Sequence, residues 1–237
     1  MGVVTFNGIT SQTYGIQVEH PPEYQTPERD YSITSVPGRS GDLVQDNGSY
    51  KNVDRTYQIA VGSLTDTYVH MANQISNWLH SASGYLRLED TYEPDYFRLA
   101  MYQEANLLSN LFQHAGRATI NFNCKPQRYL KTGSTKIVAL NNGIITNPTT
   151  QIALPLIRVY GSGNGAINIG AYTVFLTGIV GYIDIDSEIQ DSYKGLINMN
   201  SYVTLVNTYP KLVPGNSTFT CTENITSVEV TPRWWTI

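Results

Sequence analysis

Charged residues are scarce in this chain of 237 residues: Lys, Arg, Asp and Glu make up 14% of it, where a typical soluble domain has roughly a quarter. The formal net charge is −4 and no cluster of Lys and Arg stands out, which argues against specific nucleic-acid binding. Cysteine is rare as well, with two residues in the chain. Cys124 and Cys221 form no disulfide framework and no metal-binding motif, so we expect two buried free thiols.

Signatures of several other protein classes are missing as well. No apolar run approaches the roughly 20 residues of a membrane-spanning helix, and no basic and apolar leader precedes Gly2, so we expect a soluble protein made in the cytoplasm. The histidines His20, His70, His80 and His114 have no metal-ligand spacing, and no Gly-x-Ser-x-Gly elbow is present. We therefore expect no membrane contact, no metal, no cofactor and no enzymatic activity.

The chain is rich in glycine and tyrosine and has one clear helical pattern. Its 19 Gly and 17 Tyr residues suit β-structure with tight turns. The helix is predicted at about residues 66–82, with Thr65 or Asp66 as its N-terminal cap and Gly84 as a left-handed C-terminal residue. Apolar side chains at spacings of three and four predict one face packed on a sheet: Tyr68, Met71, Ala72, Ile75, Trp78, Leu79 and Ala82.

The rest of the first half alternates between apolar and polar residues, as half-buried antiparallel strands do. Asn-Gly pairs at residues 7–8 and 47–48 indicate tight turns. The predicted strands are residues 14–18, 31–36, 55–61, 85–88, 96–102 and 116–125. Three of them place these side chains on one face each: Tyr57, Ile59 and Val61; Phe97, Leu99 and Met101; and the inward-facing Ala118, Ile120, Phe122 and Cys124.

From Pro126 onward the sequence is polar and rich in turns, and we place a domain boundary near residues 128–135. Only strands follow, at the spacing of a sandwich or jelly roll. The Gly-rich residues 161–165 do not match a phosphate loop, because no helix follows them, and we expect a hairpin turn there. The predicted strands are residues 155–160, 166–169, 172–177, 181–186, 202–206, 217–222 and 227–231.

Two groups of residues in the second half invite a chemical interpretation. Asp184, Asp186 and Glu188 alternate along one predicted strand, and paired carboxylates can perform acid–base chemistry or bind Ca²⁺. No matching ligands lie nearby in sequence, so a solvent-facing or interface role is favoured. Trp234 and Trp235 could stack on sugars, but packing of a C-terminal strand is the favoured interpretation.

A series of short motifs runs along nearly the whole chain. In the first half they are residues 6–9 (FNGI), 36–41 (VPGRSG), 46–52 (DNGSYKN), 78–79 (WL), 84–85 (GY) with Leu88 and Asp90, and 96–100 (YFRLA). In the second half they are residues 183–188 (IDIDSE), 209–216 (YPKLVPGN) and 232–235 (PRWW). In this order the motifs resemble the distal tail protein (Dit) family of long-tailed siphophages, and the first-half set is the more specific.

The resemblance implies a mainly β protein of two domains. Residues 1–130 would be a ring-forming tail domain, a split-barrel or sandwich-like β-fold with one packed helix, and residues 131–237 a galectin-like β-sandwich. It also implies a structural virion protein of the phage tail tip, or baseplate. Such proteins form a homo-hexameric ring, single or back to back, that joins the tail tube and tape measure to the tail-tip (Tal-type) protein. Some relatives also hold receptor-binding proteins through the second domain.

We expect the loop at residues 36–43 to be an assembly contact, because it is long, rich in glycine and carries an arginine. The interface candidates are Val36, Pro37, Gly38, Arg39, Ser40 and Gly41. Two rival functions stay open: a carbohydrate-binding module or adhesin acting in host attachment through the second domain, and a hydrolase using Asp184, Asp186 or Glu188. Neither explains the order of the N-terminal motifs.

Overall fold

The computed structural model describes residues 2–63, 66–103, 109–112 and 114–237. It divides into two compact units, one of residues up to Arg128 together with Ile237, the other from Tyr129 to Thr236. Strands dominate both units, and the described residues contain one α-helix. The prediction of a mainly β protein with a single helix is therefore confirmed.

The first unit contains the helix and ten strands. The helix is α1 (Tyr68–Leu79), and the strands are β1 (Val4–Phe6), β2 (Ile9–Thr10), β3 (Ile16–Val18), β4 (Arg29–Thr34), β5 (Leu43–Tyr50), β6 (Val53–Gly62), β7 (Leu86–Asp90), β8 (Tyr96–Met101), β9 (Ser109–Phe112) and β10 (Ala115–Leu130). The last two residues of β10 belong to the second unit.

Seven of these strands pair in the order β2-β1-β7-β8-β10-β6-β3, and β9 pairs with β10. At one end of the row, Val18 in β3 donates its backbone N–H to the carbonyl of Gly2 (3.3 Å), just before β1. The sheet therefore curls back on itself. The Asn-Gly turn predicted after β1 is confirmed: Asn7 and Gly8 both have positive φ, and Phe6 pairs with Ile9 across them.

The start of α1 differs from the prediction by one or two residues. Thr67 is the N-terminal cap, and its hydroxyl accepts a hydrogen bond from the backbone N–H of His70 (3.4 Å). Asp66 lies one residue earlier and its carboxylate lies 2.9 Å from the His70 ring instead. The alternative cap, Thr65, lies outside the described residues, as does the side chain of Tyr68.

The helix ends at Leu79, three residues before the predicted end. The apolar stripe stops there, and Ala82 is exposed. Gly84 does adopt a left-handed φ of 87°, but it serves the turn into β7 rather than the helix end. The prediction that these two residues complete the helix is wrong, because the C-terminal cap is His80.

The face of α1 toward the sheet fills the first core, as the stripe predicted. Met71, Ile75, Trp78 and Leu79 are all buried. The indole N–H of Trp78 donates to the carbonyl of Phe6 (3.3 Å), so the largest buried side chain also has its polar atom satisfied.

The alternation predicted along β6 and β10 is confirmed. Inward-facing side chains of both strands are buried: Tyr57, Ile59, Val61, Ala118, Ile120, Phe122 and Cys124. Along β8, Phe97, Leu99 and Met101 form the half-buried set, while Arg98 and Ala100 are buried. An arginine thus takes an inward position, which a reading of apolar residues alone does not reveal.

Buried charges lie beneath this part of the sheet. Arg55 and Asp90 are each only 5% exposed, and their side chains are 2.9 Å apart. The hydroxyl of Tyr57 donates to the same carboxylate (2.6 Å), and the backbone N–H of Glu93 donates to its other oxygen (2.9 Å). Burial alone would raise the pKa of Asp90, but the hydrogen bonds from Tyr57 and Arg55 lower it.

The second unit contains strands and short helical turns but no α-helix among its residues. The strands are β11 (Ile137–Val138), β12 (Gly143–Asn147), β13 (Leu156–Ile169), β14 (Tyr172–Asp186), β15 (Asp191–Lys194), β16 (Ile197–Asn198), β17 (Val203–Leu205), β18 (Gly215–Cys221), β19 (Ile225–Thr231) and β20 (Trp235–Thr236).

The hairpin turn predicted at residues 161–165 is wrong, because this run lies inside β13. Pairing with β14 continues past it from Leu156 to Ile169, with a bulge between Gly163 and Gly165. Gly163 has a φ of 78°, and a Cβ on Gly161 would lie 2.6 Å from the Asn224 carbonyl oxygen. The glycines therefore permit a bulge and a close backbone approach, which need the same residue type as a turn.

Because of the bulge, β13 pairs with two different strands on the same side, β19 before the bulge and β18 after it. Residues 156–161 of β13 pair with β19, and residues 167–169 pair with β18. Likewise β14 is one strand rather than the two predicted, and pairs with β17 near one end and β15 at the other. The bent β13–β14 hairpin thus contributes buried side chains along its whole length to the second core, among them Ile157, Val159, Ile167, Ile169 and Val174.

Replacing Trp78 with Ala tests the packing of the helix. The change removes the indole and leaves the Phe6 carbonyl without its donor, so we expect a loss of about 3–5 kcal/mol in the free energy of unfolding. Urea unfolding measures the loss. As a control, Val69→Ala on the exposed side of α1 should change it by about 0.5 kcal/mol or less. Equal losses in the two variants would contradict the packing described.

Replacing Asp90 with Asn tests the buried ion pair. Because the folded state lowers the pKa of Asp90, its stabilisation is complete above about pH 4 and is lost as the pH falls through the folded value. Asp90→Asn should cost about 3 kcal/mol at pH 7, since Arg55 loses its nearest carboxylate and keeps only that of Glu93 at 3.7 Å, and should flatten the acid limb of a stability–pH curve. Asp42→Asn, at an exposed site, should keep the wild-type curve. An unchanged acid limb in Asp90→Asn would refute this account.

Candidate assembly surface

A two-stranded hairpin stands apart from both large sheets. It consists of β4, β5 and the residues between them, and we call residues 29–50 the arm. Among the residues that the structure describes, its strands pair only with each other, and every residue from 31 to 49 is exposed. All six interface candidates from the sequence lie at its end.

The tip of the arm has a defined geometry. The backbone N–H of Arg39 donates to the carbonyl of Val36 (3.2 Å), with Pro37 and Gly38 between them and a φ of 82° at Gly38. Proline followed by a left-handed glycine is the pattern of a type II turn. The turn holds Arg39 in a set position at the outermost end of the hairpin. The assembly role of residues 36–41 stays a prediction.

The tight turn predicted at Asn47-Gly48 is wrong, since these residues lie within β5. Gly48 has a φ of 72°, and its N–H donates to the carboxylate of Asp46 (2.9 Å). The pairing shifts register here, from Tyr31 opposite Asp46 to Arg29 opposite Tyr50. Because the chain reverses near Gly38, the left-handed glycine of β5 makes a bulge instead.

One face of the arm carries exposed apolar side chains. Tyr31, Ile33 and Val44 are 45%, 64% and 56% exposed, and Ile33 lies directly opposite Val44. The sequence does not reveal this surface. The alternation of Tyr31 and Ile33 predicted a strand, but the pattern alone does not show whether its apolar face meets a core.

On the opposite face of the arm, polar side chains form hydrogen bonds with one another. The side chain of Asn47 accepts from the hydroxyl of Ser32 (3.1 Å) and donates to Asp30 (3.1 Å), and Ser49 also donates to Asp30 (3.4 Å). On the same face as Tyr31 and Val44, Arg29 pairs with Asp46 (2.7 Å) near the base of the arm. These bonds give the hairpin a fixed shape, so its apolar face is ready to be buried against another surface.

The three candidate carboxylates of the second half all contact arginines. The solvent-facing role favoured from the sequence is wrong for Asp184 and Asp186, which are buried, while Glu188 is exposed. Asp184 makes two hydrogen bonds to Arg158 (2.6 and 2.7 Å), and Asp186 makes two to Arg233 (2.6 and 2.8 Å). Glu188 lies 3.1 Å from Arg233. Burial would raise the pKa of Asp186, but its bonds to Arg233 lower it. A general acid needs a raised value, so this arrangement suits a structural ion-pair group rather than a hydrolase.

The remaining sequence candidates are structural. Cys124 is buried, which raises its pKa to about 12, and Cys221 is half-buried rather than buried. Trp234 is buried, and the indole of Trp235 donates to the carbonyl of Ile152 (2.9 Å), as the packing interpretation expected. Within the described ranges no group of three His, Cys, Asp or Glu side chains could hold a metal ion.

The described part of the chain has no helix of the length and hydrophobicity needed to cross a membrane. No protein-family profile matches the sequence, and neither does any curated protein sequence. A solved structure does match: the crystal structure of SPP1 Dit (gp 19.1), described as a paradigm of the hub adsorption apparatus in phages that infect Gram-positive bacteria. The TM-score is 0.76 at 12% sequence identity, over 100% of both chains. The resemblance noted in the sequence is thus confirmed at the level of fold, and the chain has the fold of a phage distal tail protein.

Proposed function

We propose that this protein is a structural component of a phage tail tip. In this proposal six copies form a ring that connects the tail tube and tape measure to the tail-tip protein and the host-adsorption apparatus. The observation that carries it is the fold shared along its full length with SPP1 Dit, a protein of a hub adsorption apparatus. A ring component acts by binding rather than by catalysis, in keeping with carboxylates that are held in ion pairs.

The arm supplies a contact of the kind that a ring requires. A cyclic ring is built from heterologous contacts, in which one patch meets a different patch on the next copy. The apolar face of Tyr31, Ile33 and Val44 gains about 25 cal/mol for each Å² that another copy removes from water. The small number of charged residues also lowers the desolvation cost of such a contact.

The charge of the chain is compatible with a channel that DNA passes through. A strongly basic wall would bind the phosphate backbone, whereas each copy carries a formal −4. Twelve copies in two back-to-back rings, or six in one, satisfy this condition equally. In either arrangement we assign assembly to residues 1–130.

We assign attachment of receptor-binding proteins to residues 131–237, the proposed galectin-like sandwich. Leu196 and Ile197 lie at the β15–β16 hairpin and are exposed, as is Val180. The ammonium group of Lys194 donates to the carbonyl of Val180 (2.6 Å), which brings these apolar side chains to one region. A surface of this kind favours binding of a protein over binding of a polar glycan.

Light scattering after gel filtration tests the ring. We expect a mass near six or twelve chains for the wild type. Ile33→Ser combined with Val44→Ser should lower the mass toward one chain, because the apolar face loses the area it buries. Val138→Ser, at an equally exposed site of the second unit, should keep the wild-type mass.

A wild-type chain that stays monomeric at every concentration, and also in the presence of tail-tube and tail-tip proteins, would contradict the proposal. Glycan binding by that monomer would instead support an adhesin.

A further inference from the structure

Arg39 differs from the other arginines of the chain. Of nine arginines, eight have a side-chain contact to a carboxylate. The pairs are Arg29–Asp46, Arg55–Asp90, Arg87–Glu89, Arg98–Glu93, Arg117–Glu19, Arg128–Glu93, Arg158–Asp184 and Arg233–Asp186. Arg39 has no such partner among the residues that the structure describes, and it is exposed at the tip of the arm.

An open groove elsewhere in the first unit offers the opposite charge. Its volume is about 710 Å³, and the residues that line it include Pro21, Pro22, Glu23, Tyr24, Gln25 and Asp54. We call it the acidic groove. The carboxylate of Glu23 has no cationic partner among the described residues, and that of Asp54 accepts only the amide of Asn123 (3.3 Å).

Several hydrogen bonds hold residues 19–25, which include one wall of the acidic groove, against β6. The backbone N–H of Glu19 donates to the carbonyl of Gln58 (2.9 Å). The side chain of Gln25 accepts from the backbone of Asp54 (3.3 Å), and Arg55 donates to the carbonyl of Glu23 (3.4 Å). Pro21 and Pro22 stiffen the wall between these bonds. These bonds hold the backbone of residues 19–25 against β6, so that Glu23 and Asp54 line the same groove.

We propose, on the basis of the ring proposed above, that the tip of the arm docks in the acidic groove of the adjacent copy. Arg39 would pair there with Glu23 and Asp54, which accept from a guanidinium at close range. Val36 and Pro37 would meet the proline and tyrosine walls. The arm and the groove are different patches, so the contact is of the heterologous type that closes a ring.

The arm cannot reach the groove of its own copy. Arg29, at its base, follows Gln25 by four residues. Six residues of β4 at about 3.3 Å each carry the tip roughly 20 Å away from that base. A groove that Arg39 could enter would then belong to another molecule, and a second copy carries one of the right charge and size.

Charge reversal on both sides of the contact tests the proposal. Arg39→Glu and Glu23→Arg should each lower the assembly constant at least tenfold, read as a shift of the ring to monomers by light scattering. Glu223→Arg reverses an exposed charge in the second unit and should leave the ring intact. Circular dichroism should be identical for all variants.

Mixing the two variants is the decisive measurement. In a mixture of Arg39→Glu and Glu23→Arg chains, each arm finds a groove of opposite charge on the other variant. A ring of six alternating chains should then form, although neither variant forms one alone. The double variant Arg39→Glu with Glu23→Arg should form rings by itself.

The possible results distinguish a failure of the proposed docking from a failure of the proposed function. Intact rings in both single variants, or single variants that the mixture does not rescue, would overturn the docking of Arg39 in the acidic groove while the ring stands. A wild-type chain that forms no ring under any condition would overturn the proposed function itself.

Discussion

Pairing between β6 and β10 is the interaction on which the first unit depends. The two strands run in register from Val53 opposite Cys124 to Gly62 opposite Ala115. One side of this pair gives the core Tyr57, Ile59, Ile120 and Phe122, against which the helix packs. The other side of β6 carries the residues that face the acidic groove. Because β6 begins three residues after the arm ends, the same register also fixes the base of the arm.

Much of the first unit could be predicted from the sequence wherever an apolar pattern reflects burial in the core. The alternation in β6 and β10 and the spacing of Met71, Ile75 and Trp78 follow directly from burial on one side. The errors concern residues whose role depends on distant neighbours. A left-handed glycine occurs in turns and in bulges alike. The sequence around Gly48 and Gly163 therefore predicts turns, and only the partner strand shows that both are bulges.

The proposed assembly surface was predicted in part. The Gly-rich run and its arginine located the tip, because a turn that needs Pro37 and Gly38 is visible in the sequence. The apolar face of the arm and the acidic groove were not visible. An exposed strand with Ile33 looks like a core strand until the sheet is known, and Glu23 and Asp54 are 31 residues apart. Arg39 stands out only when every other arginine has been matched to its carboxylate.

The separation of the arm from the acidic groove has a consequence for the order of assembly. A chain that binds its neighbour through two different patches can always add another copy, so short open rows have one free arm and one free groove. When the last copy closes the row, both free ends meet within one particle, at an effective concentration far above that of free chains. Closed rings would therefore accumulate while incomplete ones stay scarce, and the number of copies would be set by the angle of each contact rather than by its strength.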